Sequence, residues 1–344
     1  MRSFASFPMA GVVHVLTNTA HGRKTMRKWI ALCIAVGCAL AASVLQAQTW
    51  PQRPVRVIVP YSAGGLSDTQ ARVISERLSA AFGQQFLVEN RVGATGAIAA
   101  EYVAKSPADG YTLFWATTPQ VSIVPLIQKV NYDPLKDFAP VSIFGKNTYV
   151  LAVHISIPAK TLKEFIEYVR AHPGQLSYSS AGTGSAGHLS AALFTSRAGL
   201  TMTHIPYKGV QAATDLVGGQ VQMYFGPAAD LIQHSKSGKI RLLAVSGGKR
   251  APILPDLPTI EEFYPGFRAD TWNGLMAPAA TPKRIIDRIA QEVARATRDP
   301  GVIERLNKIG VEAYANTPAE FAALIRSEAP QWRDAVNAAG IKQE

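Results

Sequence analysis

The sequence predicts an α/β fold built as two units with a helical end. Three observations predict it. Between residues 54 and 116, short β-branched or aromatic runs alternate with amphipathic segments. A comparable alternation returns between residues 161 and 246, and after Trp272 helical spacing prevails with little strand between. The 344 residues are enough for two domains with a sizeable core in each, and 47% hydrophobic with 17% charged residues argue against disorder.

Residues 55–60 read as a buried strand, and residues 67–82 carry Val73, Ile74, Leu78 and Phe82 at helical spacing. Residues 86–89 read as a second strand, 98–104 as a helix and 111–116 as a third strand. That order calls for a parallel sheet with helices on both faces. In the second series, a helix over 161–171 opens on Thr161 with Glu164 three residues on, the capping-box spacing. Strand 176–179, helix 188–197, strand 201–206, helix 212–217 and strands 221–225 and 240–246 follow, and helices at 282–298, 302–309 and 318–339 close the chain. Two apolar extended stretches, 141–154 and 267–276, are placed to carry the chain to a second unit and back. Such an interleaved layout gives a hinge and a cleft; two consecutive domains are the other arrangement.

Met26-Arg27-Lys28 is a charged start, and the apolar run that follows ends at small residues around Ala47. This is the order of a secretory signal peptide cleaved after Ala47, so residues 1–47 are set apart from the fold and the mature chain is expected in the periplasm. A membrane anchor is the competing reading, although the run is near the lower limit for a span. Met26 is a better start than Met1. Without residues 1–47 the chain keeps 30 basic and 24 acidic residues, a net charge of +6. The excess is dispersed, and no Lys/Arg run is interleaved with aromatics, which argues against a nucleic-acid partner and leaves a mild bias toward anionic ligands. Both cysteines, Cys33 and Cys38, lie in the leader, so cysteine nucleophiles, disulfides and cysteine metal sites are excluded from the mature chain.

Two glycine-rich turns invite a chemical reading. The first, Tyr61-Ser62-Ala63-Gly64-Gly65, joins a strand to a helix at the carboxyl end of the first sheet, where open α/β folds bind ligands. Glycine there admits close backbone approach, the helix N-terminus favours a negative group, and Ser67 or Asp68 is placed to cap the helix. A plain capped connection is the simpler reading. The second turn, residues 179–188, holds Gly182, Gly184 and Gly187 at dinucleotide-turn spacing, but the acidic residue expected about 20 positions on is missing. Ser185, His188, His204 and Asp215 raise serine hydrolysis, yet Thr183 stands where the first glycine of a G-x-S-x-G elbow belongs. No Walker ending and no zinc-protease helix motif occurs; the histidines are widely separated, and His188 is expected to cap or pack beside its loop. A third turn, His204-Ile205-Pro206-Tyr207-Lys208-Gly209, offers Tyr207 as a cleft wall and Lys208 as a charge.

Laid end to end, these features resemble the substrate-binding proteins of tripartite tricarboxylate transporters, also called Bug receptors. The matching stretches include Trp50-Pro51, Val59-Pro60-Tyr61 with Gly64-Gly65, Asp68-Thr69-Gln70-Ala71-Arg72, and Glu89-Asn90-Arg91-Val92-Gly93-Ala94. Ser106-Pro107-Ala108-Asp109-Gly110-Tyr111-Thr112, Tyr132-Asp133-Pro134, Gly182-Thr183-Gly184-Ser185 with His188, Pro206-Tyr207-Lys208-Gly209, Leu257-Pro258-Thr259 and Gly274-Leu275 continue the series. They stand in family order across essentially the whole mature chain.

The resemblance implies a two-lobed periplasmic binding protein fold of type II-like kind. Each lobe is a mostly parallel sheet flanked by helices, with the ligand cleft between the lobes. Lobe 1 is expected over 48–147 plus 272–344 and lobe 2 over 148–271. Such proteins are monomeric receptors that close on a small carboxylate and deliver it to membrane permease subunits, without catalysis, cofactor or metal. Carried over by position, the ligand-binding residues are Tyr61, Ser62, Ala63, Gly64, Gly65 and Asp68 in one lobe and Ser180, Thr183, Gly184 and Ser185 in the other. Thr117, Thr118 and Trp272 are further candidates.

Relatives commonly carry aspartate where this chain has Gly226, which implies a roomier, less acidic site. A plain or aromatic carboxylate suits it better than an amino acid. A periplasmic sensor subunit for a signalling partner is the rival in another class, and an exported serine hydrolase using Ser185 the enzymatic one.

Overall fold

The computed structural model describes residues 50–207 and 211–343; the expected leader and Lys208-Gly209 lie outside the described residues. In chain order the elements begin β1 (Val55–Val59), α1 (Leu66–Phe82), β2 (Phe86–Asn90), α2 (Ala97–Ala104), β3 (Thr112–Thr117), α3 (Val124–Ile127), β4 (Phe138–Asn147) and β5 (Tyr149–His154). Then come α4 (Leu162–Ala171), β6 (Ser177–Ser180), α5 (Ala186–Ala198), β7 (Thr203–Pro206), α6 (Gln211–Val217), β8 (Met223–Pro227), α7 (Ala228–Ser235) and β9 (Ile240–Val245). The last are β10 (Thr271–Pro278), α8 (Lys283–Ala296), α9 (Pro300–Lys308), β11 (Val311–Ala313) and α10 (Pro318–Ala338).

These strands form two sheets, ordered β11-β4-β10-β3-β1-β2 and β7-β6-β8-β5-β9. β1 lies between β3 and the edge strand β2 and pairs in parallel with both, which α1 and α2 make possible by carrying the chain back over the sheet. The expected mostly parallel pairing gives way to mixed sheets, because β10 and β11 in the first and β5 in the second pair antiparallel with their neighbours. β4 and β5 are separated by Thr148 alone and lie in different sheets, so the chain passes from one sheet to the other there and comes back along β10. Thr271 of β10 pairs with Asn147 of β4, and Asn147 Nδ2 donates to Thr271 Oγ1 at 3.2 Å. The two crossings therefore lie side by side.

Phe114, Phe138, Ile143 and Met276 pack in a core of the first sheet. The second sheet has a core on each face, Leu151, Phe165, Phe194 and Phe225 on one side and Val150, Ala152, Leu216 and Tyr224 on the other. α10 belongs to both lobes. Phe321 and Ile325 enter the first core, whereas Trp332, Ala335 and Val336 join the second. Within the stretch 272–344 expected in the first lobe, α10, a helix of 21 residues and roughly 30 Å long, thus reaches both cores.

Gly187 sits where α5 crosses β8. A Cβ there would lie 2.4 Å from the Phe225 carbonyl oxygen, a backbone atom that cannot swing aside. Gly187→Ala is expected to cost about 1–2 kcal/mol by overpacking, read as a lower urea midpoint. An unchanged midpoint would show that α5 has room to shift.

Candidate functional site

Pro60 stops β1, and residues 61–65 turn the chain into α1. Gly64 takes φ +81°, in the left-handed region that favours glycine. Gly65 is the N-cap, with extended backbone and no side-chain cap, so the expectation that Ser67 or Asp68 caps the helix is corrected. Ser67 Oγ accepts from Trp115 Nε1 at 2.9 Å and donates to Asn273 Oδ1 at 3.2 Å. Asp68 is buried, and its carboxylate accepts from Gly64 N–H and Asn90 Nδ2, both at 2.8 Å, and from Arg72 at 2.8 and 3.1 Å. Burial raises this carboxyl, but Arg72, Asn90 and the Gly64 N–H outweigh it and hold its pKa below the usual value. Asp68 thus shapes the turn from behind, its oxygens filled from within the fold.

The consequence is an open helix end. The first i→i−4 bond runs from Thr69 N–H to Gly65 O at 2.9 Å, so the N–H groups ahead of it have no such partner, and they carry the positive end of a 17-residue helix dipole. A cavity of about 410 Å³ opens on this end. Tyr61, Ser62, Gly65, Leu66 and Ser67 line it from the turn, Thr117 and Pro119 from the end of β3, and Asn147, Tyr149, Thr271, Trp272 and Asn273 from the crossings. None of these side chains carries a charge at neutral pH. An anion there would be met by dipoles alone.

Of the expected residues, Tyr61, Ser62, Gly65, Thr117 and Trp272 meet at this wall; Ala63, Gly64, Asp68 and Thr118 lie outside it, as do Ser180, Thr183, Gly184 and Ser185. The hydroxyls nearest to hand are largely engaged. Tyr61 OH lies 3.3 Å from Thr117 Oγ1 and accepts from Gln120 Nε2 at 3.1 Å, while Thr117 Oγ1 donates to Gln120 Oε1. Thr118 Oγ1 accepts from the Trp272 backbone N–H at 2.9 Å, and the Trp272 indole N–H donates to both oxygens of Glu328 at 3.1 Å. Burial pushes the Glu328 carboxyl up to about 8.

Sequence reasoning read Ser67 only as a cap and missed Asn147, Tyr149, Thr271 and Asn273, and with them a buried polar chain. Asn273 Nδ2 donates to Gln70 Oε1 at 3.2 Å and Gln70 Nε2 to Asn147 Oδ1 at 3.3 Å, so hydrogen bonds run from Ser67 at the helix end to both crossings. The available signal was position, since Asn147 and Thr271 fall inside the two stretches read as crossings.

The second turn is built on two histidines. Ser180 is fully buried, its Oγ 2.7 Å from His204 Nε2 and within bonding distance of Gly182 N and O. Ser185 is the N-cap of α5 and accepts from His188 N–H at 3.3 Å, leaving its own proton to donate. His188 Nδ1 accepts from Gly184 N–H at 3.1 Å, and the rings of His188 and His204 stack at 3.7 Å. Asp215 is instead bonded to Gln211. A hydrolase relay through Ser185 has no geometry here, because the His188 nitrogen that faces the turn is occupied by a backbone donor.

Gly226 also departs from expectation. A Cβ on it would lie 2.1 Å from Cε1 and 2.7 Å from the hydroxyl of Tyr224. The space is filled by a phenol, not left open. Among the described residues no group of three His, Cys, Asp or Glu side chains is placed to hold a metal ion, and no helix is long and apolar enough to cross a membrane.

Residues 70–341 match the family model described as tripartite tricarboxylate transporter family receptor. The protein BugT of Bordetella pertussis is 34% identical over 313 residues, 90% of this chain and 96% of BugT. A Rhodopseudomonas palustris protein solved with adipate is 36% identical, with a TM-score of 0.73, covering 86% of this chain and all of that one. MatC of the same organism, solved with malate, is 33% identical with a TM-score of 0.67, covering 83% of this chain and all of MatC. The α/β architecture of two sheets flanked by helices is thus shared with ligand-bound binding proteins.

Proposed function

The chain belongs to the tripartite tricarboxylate transporter receptor family, and from that premise we propose that it is a periplasmic receptor that captures a small carboxylate at the open N-terminus of α1 and delivers it to membrane permease subunits. The observation that carries this reading is the uncapped helix end opening into a cavity without charged side chains. Such an end suits an anion and asks no chemistry of it. The first jaw is the backbone and hydroxyls of Tyr61, Ser62, Ala63, Gly64 and Gly65, with Asp68 fixing their turn. The second is Thr183, Gly184 and Ser185, with Ser180 beneath them and Thr117, Thr118 and Trp272 behind the first.

We take 48–147 with most of 272–344 as one moving body and 148–271, joined by the end of α10, as the other. Closure requires the ligand to touch both, since only differential contacts shift an open–closed equilibrium. Charge-assisted hydrogen bonds contribute roughly 1.5–3 kcal/mol each, so a few suffice for micromolar binding after ordering costs. Relatives solved with adipate and malate support an organic acid as the guest.

The test is a thermal-shift panel of mono-, di- and tricarboxylates, aromatic acids and amino acids. Ligands without an ammonium group are expected to stabilise, by about 2.7 kcal/mol at a hundredfold excess over Kd. Stabilisation by amino acids alone, or by nothing, would count against the reading.

A further inference from the structure

We infer that Tyr224 is a specificity-determining residue of the second lobe, its hydroxyl offered as a neutral hydrogen-bond donor to an acceptor group at the far end of the bound carboxylate. The inference rests on the proposed receptor function and adds which residue reads the ligand's other end. β8 runs toward the crossings: Tyr149, which lines the cavity, pairs with Pro227, and Ala228 N–H donates to Thr148 O at 2.8 Å. The carboxyl end of β8, like those of its parallel neighbour β6 and of β7 beyond it, is therefore the edge of this sheet that we take to face the ligand.

Tyr224 leans along the strand toward that edge, its ring and hydroxyl over Gly226. The arrangement requires glycine at 226, because any Cβ would collide with the ring. Tyr224 is 4% exposed, and among the described residues its hydroxyl makes no hydrogen bond yet is not one of the fully enclosed polar atoms, so its tip stays open to a partner from outside the fold. A buried phenol usually finds a partner. At this edge a ligand is the group that would supply one. The nearest charge is Asp230 on α7, which acts electrostatically on both Tyr224 and Tyr149 and whose own carboxyl burial pushes upward. Gly226 keeps a carboxylate off the strand end itself, and Tyr224 puts a donor in its place.

Three six-carbon acids that share one carboxylate separate the possibilities: adipate, hexanoate and 6-aminohexanoate. Calorimetry on the mature wild type and on Tyr224→Phe, which keeps the ring over Gly226, reads the far end alone. Wild type should prefer adipate, and Tyr224→Phe should weaken adipate about tenfold while leaving hexanoate unchanged, the size of one lost hydrogen bond. Equal loss for adipate and hexanoate, or no loss, would overturn the inference and leave the receptor reading standing. A preference for 6-aminohexanoate would overturn it by making Asp230 the reader. Failure of all three acids to bind wild type would overturn the inference, and the receptor reading is then decided by the wider carboxylate panel.

Discussion

Gly65→Asp is expected to abolish carboxylate binding while leaving the fold at least as stable as before. Gly65 holds the N-cap of α1 at φ −75°, which any residue adopts, and a Cβ there meets only the Ser62 carbonyl at an ordinary 3.5 Å. Aspartate is among the best N-cap residues, its carboxylate accepting from the N–H groups of the first turn, and it exceeds glycine there by a few tenths of a kcal/mol. The same carboxylate would take the donors proposed for the ligand and place a negative charge where the ligand's must go. Losing two or more charge-assisted bonds at roughly 1.5–3 kcal/mol each predicts at least about a hundredfold loss of affinity. Calorimetric titration with whichever acid best stabilises wild type, beside a melting curve of the variant, checks both halves. Affinity within a few-fold of wild type would remove the helix end from the site.

How much of this was legible in the sequence depended on whether a feature is local. The first turn was readable because Pro60, Gly64 and Gly65 act on the backbone directly, and the strand–helix order followed from the spacing of apolar residues. Strand direction was not readable, since period-2 alternation looks the same either way and β10 meets its antiparallel partners β3 and β4 only across the intervening second sheet. Thr161 caps α4 as expected, but the reciprocal arm of Glu164 reaches Lys160 N–H. α7, eight residues directly after the β8 strand end, was overlooked.

Which polar groups are free is the hardest thing to see from a sequence. Asp68 looked available and is consumed by Gly64, Arg72 and Asn90, and Gln70, which the sequence left without a role, is fully buried between Asn273 and Asn147. The gap at Gly226 looked empty because Tyr224, two residues back, fills it only once the side chain's lean along the strand is known. Each miss is a question of hydrogen-bond partners or side-chain direction across many residues, which no short motif encodes.

The proposed second jaw should fail in acid. His188 is 3% exposed, and burial, then the neighbouring His204, push its pKa from 6.5 down to about 4; burial lowers His204 as well. The geometry explains the direction. Gly184 N–H donates to Nδ1, so that nitrogen must stay unprotonated, and the rings stack at 3.7 Å with Tyr178 5.0 Å beyond His204, too close for two imidazolium charges. In the unfolded chain His188 takes up its proton near pH 6.5, whereas in the fold it resists until about pH 4. Between those values the unfolded state binds more protons. Stability is therefore full above pH 6.5 and is lost as pH falls toward 4, by about 3 kcal/mol for this group. Urea denaturation at half-unit steps from pH 7 to 4 should show that slope in wild type and a markedly flatter one in His188→Gln, whose amide is uncharged at every pH. Because Gly184 loses its acceptor only when His188 protonates in the fold, ligand affinity of the folded protein should hold as pH falls and drop only around pH 4. Identical slopes in wild type and variant would show that carboxylates elsewhere, not this pair, govern the acid limb.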